Sequence, residues 1–195
     1  KPGEVFNTVI FREDLDKVKK YCLEKKGLFI ESKTRAGVAF SPDGTVQLEL
    51  VELKYGKIVI LGLEKTKEEV VRRELLIKEG DIIDYNELKE EYARLTRLRL
   101  FDSLDFRWEE SVDPEAMNLV IEVKEAQTGT FEVGMSYGET TGEVGGFIRF
   151  TEGNLMGWGQ SVSLDLSFDK DSTNVSFSFS EPWVDEKHTS FGLSL

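Results

Sequence analysis

The last seventy residues of the chain alternate between apolar and small polar side chains. Phe131, Val133, Met135 and Tyr137 interleave with Glu132, Gly134, Ser136 and Gly138. Val162, Leu164, Leu166 and Phe168 do so with Ser161, Ser163, Asp165 and Ser167, and Val175, Phe177 and Phe179 with Asn174, Ser176, Ser178 and Ser180. Successive side chains of a strand point to opposite faces, so each run predicts a strand with one apolar and one small polar face. A soluble sheet usually dresses its wet face with longer charged residues. Lipid on one side and a watery lumen on the other produce the pattern seen here, in a transmembrane β-barrel whose strands need only about 9–11 residues each. No run of about 18 apolar residues occurs, so a membrane-spanning helix is excluded.

Charge separates this region from the rest. Net charge is −12 over 195 residues. Residues 126–195 hold ten acidic against three basic residues; residues 1–125 hold 27 against 22 and read as a solvated, mixed-charge surface. Nucleic-acid binding needs a basic face to neutralise phosphates, and the sequence offers none. Cys22 is the only cysteine, which rules out an internal disulfide, and its spacing from Leu15 and Val18 predicts a small buried hydrophobe on a helical stripe. His188, the only histidine, falls in a polar turn. No Cys/His/Asp cluster has metal-ligand spacing, so no metal or cofactor is expected.

Two related units precede the alternating segment. The first opens on Pro2-Gly3-Glu4-Val5-Phe6-Asn7 and continues into a helix closed by Gly27. Leu28-Phe29-Ile30 leads into a strand near 32–40, then the turn Ser41-Pro42-Asp43-Gly44 and a strand from Thr45 to Glu52. The second repeats this order. Gly80-Asp81 matches the opening, a helix runs from about Asn86, its proposed N-cap, to Leu98, and strands follow over 104–110 and 118–125. The second unit also has a strand over Lys57–Leu61 and a capping box, Thr66-Lys67-Glu68-Glu69, starting a helix that reaches about Leu76. The complete unit is therefore β-α-α-β-β. The expected domains are 1–53, a partial unit lacking its first strand and helix; 54–126, a complete unit; and 127–195, about five strands of a barrel. Lys1-Pro2-Gly3 is no signal peptide and Gly192-Leu193-Ser194-Leu195 stops in mid-pattern, so the chain reads as a piece of a longer protein.

A β-α-α-β-β repeat feeding an antiparallel barrel resembles the BamA-type outer-membrane assembly proteins, in which polypeptide-transport-associated (POTRA) domains precede a bacterial-surface-antigen barrel. The residues that carry the resemblance are Gly80-Asp81, Leu98-Arg99-Leu100-Phe101-Asp102, Leu119–Glu125, Thr128-Gly129-Thr130-Phe131, Glu152-Gly153-Asn154-Leu155-Met156-Gly157-Trp158-Gly159-Gln160 and Phe179-Ser180-Glu181-Pro182-Trp183. Arg99 departs from the family, which has glycine there; Lys26-Gly27-Leu28-Phe29 in the first unit keeps it.

No nucleophile–base–orienter set exists, because the one Cys and the one His lie in different domains, and no enzyme is expected. Gly157-Trp158-Gly159 is not a phosphate loop, since no Lys follows. Asp169-Lys170-Asp171 reads as a polar hairpin turn, Trp108 as packing, and Trp158 and Trp183 as interfacial aromatic anchors. What remains is backbone chemistry. A barrel's first strand must pair with its last, and a weak seam can template an incoming strand. Here that strand is Thr130, Phe131, Glu132, Val133, Gly134, Met135, Ser136 and Tyr137, with Gly134 expected to weaken it.

The resemblance implies that this strand is a lateral gate and that client strands also add to the edges near 32–40 and 104–110. It implies unfolded outer-membrane proteins, outer-membrane lipid and accessory lipoproteins as partners, with the barrel in the bacterial outer membrane and the POTRA units in the periplasm. A two-partner-secretion or translocation-type transporter of the same family is the alternative. A structural barrel or adhesin without client binding is the alternative of another class.

Overall fold

The computed structural model describes residues 7–32, 39–41, 45–139, 142–185 and 187–195. The opening segment at 1–6, most of the strand expected near 32–40 and the turn residues 42–44 lie outside the described residues. The chain divides into two compact units: residues 1–59, 75–93 and 106–121 form the first, and residues 60–74, 94–105 and 122–195 the second.

In the first unit, α1 (Thr8–Lys26) starts where the Asn7 carboxamide oxygen accepts from the N–H groups of Val9 and Ile10, at 2.9 and 3.3 Å. It ends at Gly27, whose φ of 73° lets its own N–H donate to the Leu23 carbonyl at 3.0 Å and the Leu28 N–H to that of Cys22 at 3.3 Å. No residue of α1 is buried, so Cys22 is not the core hydrophobe its spacing predicts: it is half-buried. The short strands β1 (Ile30–Ser32), β2 (Ala39–Phe40), β3 (Val46–Gln47) and β4 (Leu50–Glu52) pair as β1 with β4 and β2 with β3, all antiparallel.

The β-α-α-β-β unit is present in the predicted order: β5 (Lys54–Leu61), α2 (Glu68–Arg72), α3 (Tyr85–Arg97), β6 (Phe101–Glu110) and β7 (Ala116–Glu125). The strands form a sheet in the order β5-β7-β6. Central β7 buries Leu119, Val120 and Ile121 in succession, as a strand covered on both faces must. On the first unit's side Tyr55, Ile58, Ile77, Ile83 and Leu88 complete the core. Trp108 packs as expected, 5.9 Å from the Tyr55 ring and 5.6 Å from that of Phe29. Burial, with the charges of Glu87, Glu91, Asp84 and Asp81 behind it, pushes the Tyr55 phenol far above its ordinary range.

Two helix starts differ from the sequence reading. Asp84, not Asn86, caps α3: its carboxylate accepts from the Asn86 N–H at 2.6 Å. Helix α2 spans only five residues, and its N-cap Lys67 makes no side-chain capping bond. The Thr66 capping box is not formed, because the Thr66 hydroxyl is engaged elsewhere, as described below. Arg99 has a φ of 56°, the left-handed region, at the place equivalent to Gly27. That geometry is the physical reason glycine suits this position.

The second unit carries a five-stranded antiparallel meander: β8 (Gly129–Tyr137), β9 (Val144–Leu155), β10 (Gln160–Phe168), β11 (Thr173–Glu181) and β12 (Phe191–Ser194), in the order β12-β11-β10-β9-β8. Its register aligns the alternation across strands. Phe131, Phe150, Leu164 and Phe177 form one row, and Val133, Ile148, Leu166 and Val175 the next. The intervening row on the opposite face is Glu132, Arg149, Asp165 and Ser176. The apolar face is open: Phe131 is 69% and Val133 64% exposed. Among the described residues the sheet is not closed into a barrel, and no helix is long and apolar enough to cross a membrane, which says nothing of strands.

Candidate functional site

Every residue of the predicted gate, Thr130 to Tyr137, lies on β8. This strand ends the sheet, with β9 on one side and, among the described residues, no strand on the other. Phe131, Val133, Met135 and Tyr137 share the apolar face, all at least 64% exposed, while Thr130, Glu132, Gly134 and Ser136 share the polar face. One strand therefore combines an exposed apolar face with an edge that no described strand pairs.

Gly134 sits beneath a side chain of the neighbouring strand. The Phe147 ring of β9 lies directly over it, and a Cβ at 134 would run into that ring. A strand glycine covered by a cross-strand aromatic is a packing seat, and the aromatic supplies the contact that the missing side chain cannot.

A second constellation lies at the base of the sheet, wholly within the second unit. The turn after β9 docks on the segment before α2. Asn154, 1% exposed, donates from its Nδ2 to the Thr66 hydroxyl at 2.8 Å, and its Oδ1 accepts from the Gly159 N–H at 2.8 Å. The Lys67 N–H donates to the Gly157 carbonyl at 2.9 Å. Gly157 has a φ of 83°, and a Cβ there would collide with the Lys65 carbonyl. Lys65 Nζ pairs with Glu152 at 3.0 Å. Beneath this turn the Glu125 carboxylate, at the end of β7, accepts from the N–H groups of Glu64, Lys65 and Thr66 at 2.9, 3.1 and 2.7 Å. Burial pushes the Glu125 carboxyl up, but those backbone donors and the Thr66 hydroxyl outweigh it and hold it below the usual carboxylate range.

The two tryptophans predicted as anchors belong to the same neighbourhood. Trp158 is 42% exposed, and its carbonyl accepts from Arg73 Nη2 at 3.2 Å. Trp183 donates from Nε1 to Glu74 at 2.7 Å, lies 5.3 Å beneath the Arg73 guanidinium and meets the His188 ring at 3.8 Å, tilted by 41°. The indole edge of Trp183 is thus used inside the protein, tying the turn after β11 to the same segment. Glu181 braces it, accepting from the Trp183 N–H at 2.9 Å and from Gln160 at 2.6 Å.

Sequence reasoning found the edge strand and missed this clasp. The only signal was the Asn154-Leu155-Met156-Gly157-Trp158-Gly159 motif itself, whose buried amide and two left-handed glycines, Gly157 and Gly159, need a partner surface to make sense.

These features define a class: a POTRA-type unit leading into the antiparallel strands of an Omp85-type barrel. Residues 53–126 match the POTRA family model, described as surface antigen variable number repeat, and residues 154–195 match the Omp85 superfamily domain. The outer membrane protein assembly factor BamA of Neorickettsia risticii is 26% identical over 200 residues, covering 99% of this chain and 26% of that protein. BamA of Nitratidesulfovibrio vulgaris is 31% identical over 136 residues, covering 70% of this chain and 17% of that protein. The crystal structure of BamA from Haemophilus ducreyi lacking POTRA domains 1–3 matches with a TM-score of 0.65 at 24% identity, covering 100% of this chain and 37% of that one. CdiB from Acinetobacter baumannii matches at 0.54 and 19%, covering 91% and 34%. This chain belongs to the BamA-type family of bacterial outer-membrane proteins, with POTRA and Omp85 domains. It spans about a quarter or less of the length of the curated relatives it matches.

Proposed function

We propose that this chain is part of an outer-membrane β-barrel assembly factor, one that folds and inserts client barrel proteins by pairing their strands with the free edge of β8. The observation that carries the reading is the place of β8 as the first strand of its sheet, with β9 on one side, no strand on the other among the described residues, and an exposed apolar face beside that edge. An edge of that kind satisfies the backbone of an incoming strand while lipid receives its apolar side chains. The work is binding rather than catalysis, and it draws on no cofactor. Lipid covers the row of Phe131, Phe150, Leu164 and Phe177. The POTRA units reside in the periplasm, where the outer edge of β6 is a second place for strand addition by clients or accessory lipoproteins.

The likeness to CdiB is one of fold and does not separate assembly from secretion. The names of the curated relatives favour assembly over a secretion transporter or an adhesin. The test is photo-crosslinking in the full-length protein from Phe131 or Met135. A crosslink to a nascent client strand is expected. No crosslink anywhere along 130–137 would sink the proposal.

A further inference from the structure

The same strand that offers an open edge is held hard on its other side. We infer that Phe147 and Arg149 of β9 are positioning residues that lock the register of β8, so that it presents a fixed template rather than a sliding one. This inference rests on the reading that β8 pairs with incoming strands.

Three observations converge on it. First, the Phe147 ring fills the seat at Gly134, its partner in the register. A slip by two residues would set Glu132 or Ser136 beneath that ring, and each has a side chain where the ring now lies. Second, Arg149 lies between Glu132 and Asp165, its cross-strand partners. Its Nε donates to Asp165 at 2.5 Å, and its Nη1 reaches Glu132 at 3.4 Å. The guanidinium also lies 5.5 Å from the Phe147 ring, so the two devices touch. Third, the same arrangement recurs one strand further on, on the apolar face. The Phe168 ring of β10 covers Gly146 of β9, where an added Cβ would come within 2.6 Å of it. An aromatic from each later strand thus covers a glycine of the earlier one, from β10 to β9 to β8.

The physics explains why a lock is needed at this place. A strand inside a sheet is held in register by two neighbours, and among the described residues β8 has one. A client strand that adds to the free edge and pulls along it acts against the β8–β9 ladder alone. Register determines which face every side chain occupies, and polar, glycine-containing strands specify it weakly. Exposed ion pairs add little stability. Their value here is selective: Arg149 meets carboxylates on both sides only in the native register.

The experiment uses cysteine pairs in the full-length protein in membranes. Thr130→Cys with Thr151→Cys reports the native register. Thr130→Cys with Gly153→Cys, and Thr128→Cys with Thr151→Cys, report a two-residue slip in either direction. Only the first pair is expected to form a disulfide in the otherwise unaltered chain. In a Phe147→Ala background the slipped products are expected to rise up to about fivefold, the scale of one lost cross-strand pair. Arg149→Gln, which leaves the ring in place, is expected to give a smaller rise. Heat-modifiable migration confirms that each variant is folded; should Phe147→Ala fail that check, Arg149→Gln decides. Slipped disulfides no more frequent in the folded variants than in the parent overturn the lock, whatever the clients do. Absence of client crosslinks anywhere along 130–137 in the parent, with its register intact, sinks the gate reading and leaves the lock standing.

Discussion

β7 and β8 follow one another along the chain, differ by one residue in length, and make opposite demands on their surroundings. β7 spans ten residues and buries Leu119, Val120 and Ile121 in a row; β8 spans nine and buries none. In β7 consecutive apolar residues find protein on both faces. In β8 apolar and polar residues strictly alternate, and the apolar ones face outward. The two strands teach that the pattern of apolar residues, not their number, tells a core made of protein from one completed by lipid.

Substitutions on matching strands break the comparison most sharply. Ile121→Ala removes fully buried methyl groups and is expected to cost about 2–5 kcal/mol. Chemical denaturation followed by tryptophan fluorescence would register it in any medium. Val133→Arg on β8 is expected to cost about 2–4 kcal/mol near the bilayer midplane. The expected loss should vanish when folding is measured in a medium that wets the apolar face. A loss of equal size in both media would show that the Val133 face is covered by protein.

The clasp gives the next effect. Asn154→Ala leaves the Thr66 hydroxyl and the Gly159 N–H without their partner and is expected to cost about 1–3 kcal/mol, the range for a buried polar group left unpaired. Hydrogen exchange at the amides of Gly159 and Lys67 should quicken along with it. Smaller and of opposite sign, Arg99→Gly is expected to stabilise by up to about 1 kcal/mol, since glycine adopts a left-handed φ without the Cβ clash. A lower thermal midpoint for Arg99→Gly would mean that the arginine side chain does more than its backbone costs.

The smallest effect is one of pH. The folded carboxyl of Glu125 lies below its ordinary value of 4.5. A depressed carboxyl contributes stability that is present above the unfolded value and is lost as pH falls through the folded one. Glu125→Gln should therefore flatten the decline of the unfolding midpoint below pH ~4.5 while changing its slope little near neutrality. An unchanged acid slope in Glu125→Gln would remove Glu125 from the acid response.

The legible part of the fold was the part written in periodicity. Alternation over Phe131–Tyr137 and Val162–Phe168 located two strands and their outward faces, and the β-α-α-β-β order was readable from turn and helix signals such as Gly27 and Gly80. The clasp was not legible, because Thr66 and Asn154 lie 88 residues apart and each has a sound local explanation. Thr66 followed by Glu69 obeys the spacing of a capping box, yet a buried amide from a distant turn took the hydroxyl first. Cys22 failed for a related reason: helical spacing reports a stripe and does not say whether anything covers it. Gly134 is ambiguous in the same way. A glycine in a strand signals either weakness or a seat, and only the position of the Phe147 ring across the sheet tells which.

The clasp also bears on how such proteins can be recombined. POTRA repeats invite treatment as interchangeable beads, to be cut and rejoined in the three residues between Glu125 and Gly129. The geometry argues otherwise for the bead next to the sheet. Thr66, Lys65 and Arg73 are matched to Asn154, Gly157 and Trp158 by individual bonds and close approaches. A chimera that grafts this sheet after a foreign repeat would inherit half of a lock and key. Residues 66 and 154 should therefore be exchanged together, and the natural joint for shuffling lies upstream of β5, not at the linker.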